Sequence, residues 1–257
     1  MKIGIIGGSG LDNPDIFETL RDDVVDTPYG APTSPLKHGK IGDVAVVLLA
    51  RHGREHTIPP THVNYRANIH ALRESGCTHI LATSAVGSLR EDIGRGDLVI
   101  LDQFIDFTKR RHVTFHEVFE PHAPVHTPMA EPFNAALRNL LIAACERLGY
   151  PHHKTGTVVT IEGPRFSTRA ESRMFRSWGA DVINMSIAVE AILANEARIP
   201  YAAVAMSTDY DCWKEDEEPV SWDAIIEVFK RNAEKVSTLL VHVIPEVQKL
   251  HQETFLA

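Results

Sequence analysis

Short, uninterrupted apolar runs alternate with amphipathic segments along almost the whole chain. Ile3-Gly4-Ile5-Ile6, Val44–Leu49, His79-Ile80-Leu81-Ala82, Leu98–Leu101 and Tyr201–Val204 are apolar and of strand length, and Thr157–Ile161 is β-branched. Continuous apolar runs of this kind predict strands covered on both faces, as in a largely parallel sheet. The intervening segments carry helix punctuation. Asn64 to Ser75 reads as a helix stopped by Gly76. A second helix is predicted from about Pro132, in its first turn, to Leu148, with Gly149 at its end; Phe133, Leu137, Leu140, Leu141, Ala144 and Leu148 form its apolar stripe. Thr168-Arg169-Ala170-Glu171 has capping-box spacing for a third helix that stops before Gly179. Ser221 is placed to cap a long final helix, with Ile225, Val228, Phe229, Asn232, Val236, Leu239 and Val243 facing inward and Pro245 interrupting it. The pattern predicts an α/β fold over 1–257: a single domain with a mixed, mostly parallel central sheet flanked by helices.

In such a sheet the polar residues at the carboxyl ends of strands gather at one rim, where ligands bind. The strand-end segments are Gly7-Gly8-Ser9-Gly10, Arg51-His52, Thr83-Ser84-Ala85, Glu162-Gly163-Pro164-Arg165, Asn184-Met185-Ser186 and Asp209-Tyr210-Asp211. Gly7–Gly10 reads either as a tight turn or as a loop whose amides, with the Ser9 hydroxyl, approach an anion. It lacks the Gly-Lys-Ser/Thr of a Walker loop, and Asn13 stands where a dinucleotide fingerprint needs its last glycine. Arg51 is suited to a bidentate grip on phosphate and His52 to donating or shuttling a proton; a basic surface turn is the alternative. Ser84 adds a hydroxyl. Together, Ser9, Arg51, His52 and Ser84 form a donor set for a free oxyanion.

Asp209 and Asp211 fall where the Tyr201–Val204 strand runs out. Strand alternation turns residues i and i+2 to the same side, so both carboxylates are expected in one site. In a desolvated pocket two such acids resist ionising together, and one holds a proton near neutral pH. A protonated acid beside an ionised one matches a planar edge with an acceptor and a donor, such as N7 and the 6-amino group of adenine. Solvated acids at a strand exit are the alternative.

Composition narrows the function classes. With 26 Lys and Arg against 34 Asp and Glu, a net charge of −8 argues against nucleic-acid or anionic-membrane partners, so any phosphate site must be a local basic pocket. No apolar run is long enough to span a bilayer, and the short apolar stretch at the start lacks a cleavage-site pattern and leads straight into a glycine turn, so no signal peptide is expected. Cys77, Cys145 and Cys212 are odd in number and widely spaced, which fits a reducing cytoplasm, with Cys212 expected as a buried thiol. Among 14 histidines, the pairs His112/His116 and His122/His126 have metal-like spacing but lie in a Pro- and Phe-bearing segment without helical pattern, so no metal site is expected.

Several segments taken in order resemble the purine nucleoside phosphorylase superfamily, and most closely its members acting on 5′-methylthioadenosine. They are Ile6–Asp12, Arg51-His52-Gly53-Arg54, His62–Asn68, Gly87-Ser88-Leu89-Arg90, Pro128–Phe133, Glu162–Ser167, Gly179–Met185 and Thr208–Lys214. The resemblance implies phosphorolysis of an N-glycosidic bond, with inorganic phosphate as co-substrate and no cofactor. It implies that Ser9, Arg51, His52, Ser84, Ala85 and Ser186 hold phosphate. Phe166, Ser167 and Met185 would hold the nucleoside, and Asp209 and Asp211 would read adenine and supply a proton. Trp222 departs from the family pattern, standing at a 5′-pocket position commonly filled by a small aliphatic residue, and is expected to narrow that pocket. His126 would reach the site of a neighbouring subunit in a trimer or hexamer. The chain departs from the family pattern after Met185: Ser186-Ile187-Ala188-Val189-Glu190 stands where Thr-Thr-Val-Pro-Glu is usual. It also stops soon after the final helix, without the longer tail that helps close the 5′ pocket in some members. A 6-oxopurine phosphorylase, a nucleoside hydrolase and a nucleoside-binding sensor are the competing readings.

Overall fold

The apolar runs do become strands, and their alternation explains why they are apolar throughout. In the computed structural model, which describes residues 1–8, 18–215 and 222–256 (within the last segment, side chains of 228 and 231–252), eleven strands join one sheet. They are β1 Ile3–Gly7, β2 Glu18–Asp23, β3 Leu36–Ile41, β4 Val44–Ala50, β5 His79–Ser88, β6 Leu98–Ile100, β7 Gln103–Phe107, β8 His152–His153, β9 Thr157–Ile161, β10 Val182–Asn184 and β11 Tyr201–Asp209. The helices are α1 Tyr65–Glu74, α2 Ala135–Leu148, α3 Arg169–Ser177, α4 Ile187–Glu196 and α5 Trp222–Leu256. The main path runs β2-β3-β4-β1-β5-β10-β9-β7, while β11 pairs with β5 and β6, and β6 with β8. Pairing is parallel for β1 with β4 and β5, β5 with β11, β9 with β10 and β7 with β9; β2-β3-β4 is antiparallel, as are β5–β10 and β6–β11.

Successive strand residues feed two cores. Ile6 of β1, Val47 and Leu49 of β4, and Tyr201, Ala203 and Ala205 of β11 pack with Ile69 and Leu72 of α1 and with Ile187, Val189 and Leu193 of α4. Ile3 and Ile5, Val46 and Leu48, and Ala202, Val204 and Met206 face the other way, onto Leu137 and Leu141 of α2 and Val236, Leu239, Leu240 and Val243 of α5. Removing any one of the larger side chains is a change of about 2–5 kcal/mol at such sites. A third, smaller cluster joins Phe175 of α3 to Val159, Ile161 and Ile183 at the ends of β9 and β10.

Several boundaries differ from the sequence reading. α2 starts at Ala135, not at Pro132, because the Asn134 side chain accepts from the Leu137 amide and caps the helix. Pro132 instead presents its carbonyl to the Asn195 amide group. α5 runs through Pro245 without ending there. Val243, Ile244 and Val247 are buried on both sides of the proline, and Val241, whose carbonyl loses its helical donor, is exposed enough for water to replace it. β5 does not end at Ala82 but continues through Thr83–Ser88, since β11 pairs along it as far as Gly87 and β10 takes over opposite Gly87 and Ser88. α4, which has no amphipathic stripe to announce it and no side-chain capping bond, is buried nearly all round. Ser221 lies outside the described residues. Among those described, no helix is long and apolar enough to cross a membrane.

The capping box of α3 is formed on both sides, Thr168 Oγ1 accepting from the Glu171 amide and Glu171 accepting from the Thr168 amide. Thr168→Ala is expected to cost about 1 kcal/mol, measured as a fall in the urea midpoint at unchanged slope.

Candidate active site

The carboxyl ends of β4, β5, β9, β10 and β11 open on a cavity of about 650 Å³. Its lining divides along β5: at one end Gly8 and Arg51 stand against Thr83 and Ser84, and at the other Asp209 and Asp211 stand against Gly87, with Ser167 on Asp211; His52, Ala85, Phe166, Asn184, Met185 and Ser186 complete the wall. The structure thus brings together the residues singled out from separate strand ends. Ser9 lies outside the described residues, as does the side chain of Trp222, although Gly8, next to Ser9, lines the cavity. His126 does not line this cavity; it is exposed and its ring packs edge-on against Phe119.

Arg51 is 1% exposed, and its fork is already occupied. Nε and Nη2 donate to the two oxygens of Glu190, the second at 2.9 Å, and Nη1 donates to the Thr83 carbonyl at 2.8 Å. The bidentate partner expected to be phosphate is therefore Glu190, and an anion in the cavity is left with the two remaining N–H groups. Glu190, also 1% exposed, accepts in addition from the Tyr201 hydroxyl at 2.9 Å. Neither Glu190 nor Tyr201 was singled out from sequence. The available signal was one acid inside the run Ile187-Ala188-Val189-Glu190-Ala191-Ile192-Leu193, where burial demands a cationic partner. A Cβ at residue 8 would stand 2.8 Å from Arg51 Nη1, so only glycine lets the β1 end pass the guanidinium.

His52 Nδ1 lies 2.9 Å from the Ile58 carbonyl, which fixes Nδ1 as the protonated nitrogen. Burial, reinforced by the Arg51 charge, brings its pKa down to about 4. At neutral pH Nε2 is thus an acceptor, suited to a phosphate hydroxyl; as a donor, the role expected from sequence, it would need an extra proton. The Ser84 hydroxyl donates to the Ala85 carbonyl at 3.0 Å and accepts from Asn184 Nδ2 at 3.1 Å. Asn184 Oδ1 accepts from Thr160 Oγ1 at 2.8 Å and from the Ser186 amide at 3.3 Å, and Thr160 accepts from the Ala188 amide. This buried chain fixes Ser84, Ser186 and the first turn of α4 together. Ser186 is the N-cap residue, and its hydroxyl makes no capping bond.

The two aspartates share the site, but not by strand alternation. β11 carries an irregularity between Ser207 and Asp209, and Asp211 sits in the following turn at φ 50°. The Asp211 amide donates to Asp209 Oδ1 at 2.8 Å, an Asx-type closure that folds the second carboxylate back beside the first. Asp209 Oδ2 accepts from Thr208 Oγ1 at 2.7 Å. Asp211 receives the Ser167 hydroxyl at 2.7–2.8 Å. Burial raises the pKa of both, and the Asp211 charge raises Asp209 further. Gly87 is required here as well, since a Cβ on it would meet Asp209 Oδ1 at 2.9 Å. Phe166, 44% exposed, stands at the mouth. Cys212 is half-buried rather than buried, with Sγ 3.3 Å from the Ser167 carbonyl.

Residues 2–245 match the model of a family described as the phosphorylase superfamily. The chain is 58% identical over 250 residues to S-methyl-5′-thioadenosine phosphorylase of Xenopus tropicalis and 57% identical over 250 residues to that of Danio rerio. Each alignment spans 96% of this chain and 89% of the relative. A similar solved structure is methylthioadenosine phosphorylase from Schistosoma mansoni in complex with adenine, with TM-score 0.92, 43% identity, and coverage of 97% of this chain and 92% of that one.

Removing the Glu190 carboxylate leaves a buried guanidinium without its anion. Glu190→Ala is expected to lose about 3–5 kcal/mol of stability, read by urea denaturation. Glu190→Gln, which keeps an acceptor and the volume, should lose less.

Proposed function

This chain belongs to the phosphorylase superfamily, and from that premise we propose that it transfers the sugar of 5′-methylthioadenosine from adenine to inorganic phosphate. The observation that carries the reading is the polarity of one cavity: N–H and hydroxyl groups around Arg51 and Ser186 at one end, a pair of raised-pKa carboxylates at the other. The names of the relatives and the adenine complex of the Schistosoma enzyme support the same substrate.

In the reaction the C1′–N9 bond breaks, its electron pair stays with adenine, and a phosphate oxygen forms the new bond to C1′. The departing base needs a proton at N7. Asp209 supplies it, because burial, with the Asp211 charge beside it, favours its protonated form. Asp211, whose carboxylate form the Ser167 hydroxyl stabilises against burial, accepts from the 6-amino group. Overall, the proton of hydrogen phosphate ends on adenine, so the acid is restored in each cycle. Arg51, Ser84, Ala85, Ser186 and His52 hold the phosphate, His52 by accepting its hydroxyl. Orientation of phosphate beneath C1′, and its charge opposite the oxocarbenium-like sugar, supply the rest. Ser9 keeps the phosphate role that the resemblance implies, and Trp222, where the family usually has a small aliphatic residue, narrows the 5′ pocket. No cofactor enters this scheme. His126, on an exposed segment with Val118, Phe119 and Val125, completes a neighbour's site in a trimer or hexamer. We assign the enzyme to the cytoplasm on its cysteine usage.

Incubation with 5′-methylthioadenosine should release adenine only when phosphate is added; release without phosphate, or inosine turned over as well as methylthioadenosine, overturns the reading. Asp209→Asn is expected to lower adenine-nucleoside turnover by about 10²- to 10⁴-fold while sparing 6-oxopurines. At saturating phosphate, wild-type kcat should fall as pH rises through the raised Asp209 pKa, and the residual Asp209→Asn activity should lack that limb.

A further inference from the structure

Arg111 is a fully buried cation outside the cavity lining, and the scheme above gives it no role. Its guanidinium reads three backbone carbonyls at the rim of the sheet. Nη1 donates to the Met185 carbonyl at 2.5 Å and to the Tyr65 hydroxyl at 3.0 Å. Nη2 donates to the Glu162 carbonyl at 2.7 Å and to the Ile161 carbonyl at 3.3 Å. Nε faces Glu162 Oε1 at 3.6 Å, and Glu162 Oε2 accepts from the Lys109 and Arg110 amides. The guanidinium also lies against the Tyr65 ring, 5.2 Å from its centroid, and Tyr65 itself donates to the Met185 carbonyl at 3.3 Å.

The carbonyls concerned belong to the chain just where β9 and β10 stop pairing. A parallel sheet leaves such groups without ladder donors, and burial makes each one costly. One planar fork satisfies them all and ties them to each other. Ile161 and Met185 line the cavity, and Met185 is followed at once by Ser186. The Met185 carbonyl belongs to the same peptide as the Ser186 amide, which donates to Asn184. A guanidinium pulling on the carbonyl and a carboxamide on the amide fix the plane of that peptide from both sides.

We propose that Arg111 is a positioning residue: it holds the Met185–Ser186 peptide, and with it the sugar-facing wall between the carboxylate and phosphate ends, in the geometry that turnover requires. This rests on the phosphorolysis reading. Arg111 touches neither the aspartates nor Ser167, so the adenine end keeps its own supports when Arg111 is changed. The effect is selective: contacts to the sugar and the alignment of phosphate suffer, and base recognition does not. A lysine retains the charge and reaches one carbonyl, but cannot bridge two strand ends.

The test uses Arg111→Gln, Arg111→Lys and Tyr65→Phe in the full chain, with folded state checked by thermal melting. Adenine and 5′-methylthioadenosine affinities are measured by calorimetry without phosphate, and kcat with phosphate saturating. Arg111→Gln should bind adenine within about threefold of wild type, bind the nucleoside about tenfold more weakly, and lose about 10²-fold in kcat. Arg111→Lys should recover roughly tenfold of that loss, and Tyr65→Phe should lose a fewfold only. Equal nucleoside-to-adenine affinity ratios and kcat within threefold of wild type overturn the proposal, as does a parallel fall of adenine affinity and kcat, the mark of general packing. If Arg111→Gln does not fold, the lysine and Tyr65 variants decide by the same two ratios. A wild-type protein that binds both ligands but releases no adenine with phosphate overturns the function reading, while the affinity ratio still judges Arg111.

Discussion

The site depends on one buried ion pair, Arg51 with Glu190. Desolvating both charges costs several kcal/mol, so the pair is a poor source of net stability. What it supplies is a joint. Arg51 follows β4 and also binds the Thr83 carbonyl inside β5; Glu190 lies on α4 and also binds Tyr201 at the start of β11. Four elements that converge from distant parts of the chain are registered against each other by one guanidinium and one carboxylate. Because Glu190 takes the planar edge, the N–H groups left to the cavity have fixed directions before any anion arrives. That is preorganisation: the donors are aimed without further loss of side-chain entropy.

The same burial acts with opposite sign at the two ends of the cavity. A low-dielectric wall disfavours whichever form of a group is charged. At the Arg51 end it pushes His52 toward the neutral imidazole, and the fixed positive charge pushes the same way. At the other end it pushes Asp209 and Asp211 toward the neutral acid. The result is a cavity with an acceptor nitrogen beside its cationic end and carboxyl groups biased toward their protonated form at its acidic end. The burial that sets this chemistry is the burial provided by the sheet's two helical layers.

Much of this was legible in the sequence, for identifiable reasons. Continuous apolar runs marked β1, β4 and β9, and Asn64, Thr168, Gly149 and Gly179 marked helix ends, because period and capping are local properties. The strand-end segments marked the cavity because a parallel sheet gathers them at one rim. What escaped was set by partners distant in the chain. The length of β5 is fixed by β11 and β10, β2 is a polar edge strand held by β3, and α5 passes through Pro245 because its flanks are buried. Glu190 and Arg111 take their meaning from distant partners, among them Arg51, 139 positions from Glu190, and Met185, 74 positions from Arg111. The Asp209–Asp211 pairing was foreseen, but its cause was not: a turn residue at positive φ, and not strand alternation, brings the second acid round.

The departure at Ser186-Ile187-Ala188-Val189 shows which parts of this arrangement are fixed and which are free. Val189 stands at the position where the family pattern has proline, in the first turn of α4, where helix amides lack intrahelical partners and a proline is tolerated without loss. Replacing proline there returns an N–H but breaks no bond. Ile187 and Val189 point into the core shared with α1, so apolar side chains suit both positions. The Ala188 amide is taken by Thr160 from the neighbouring strand, which anchors the turn independently of its own sequence. Two residues of the first turn do more than pack: Ser186, which lines the cavity, and Glu190, whose carboxylate holds Arg51. They are four residues apart, on the same side of the helix, one lining the cavity and the other gripping the arginine beneath it. The helix can vary wherever packing alone decides, provided that this i, i+4 pair survives.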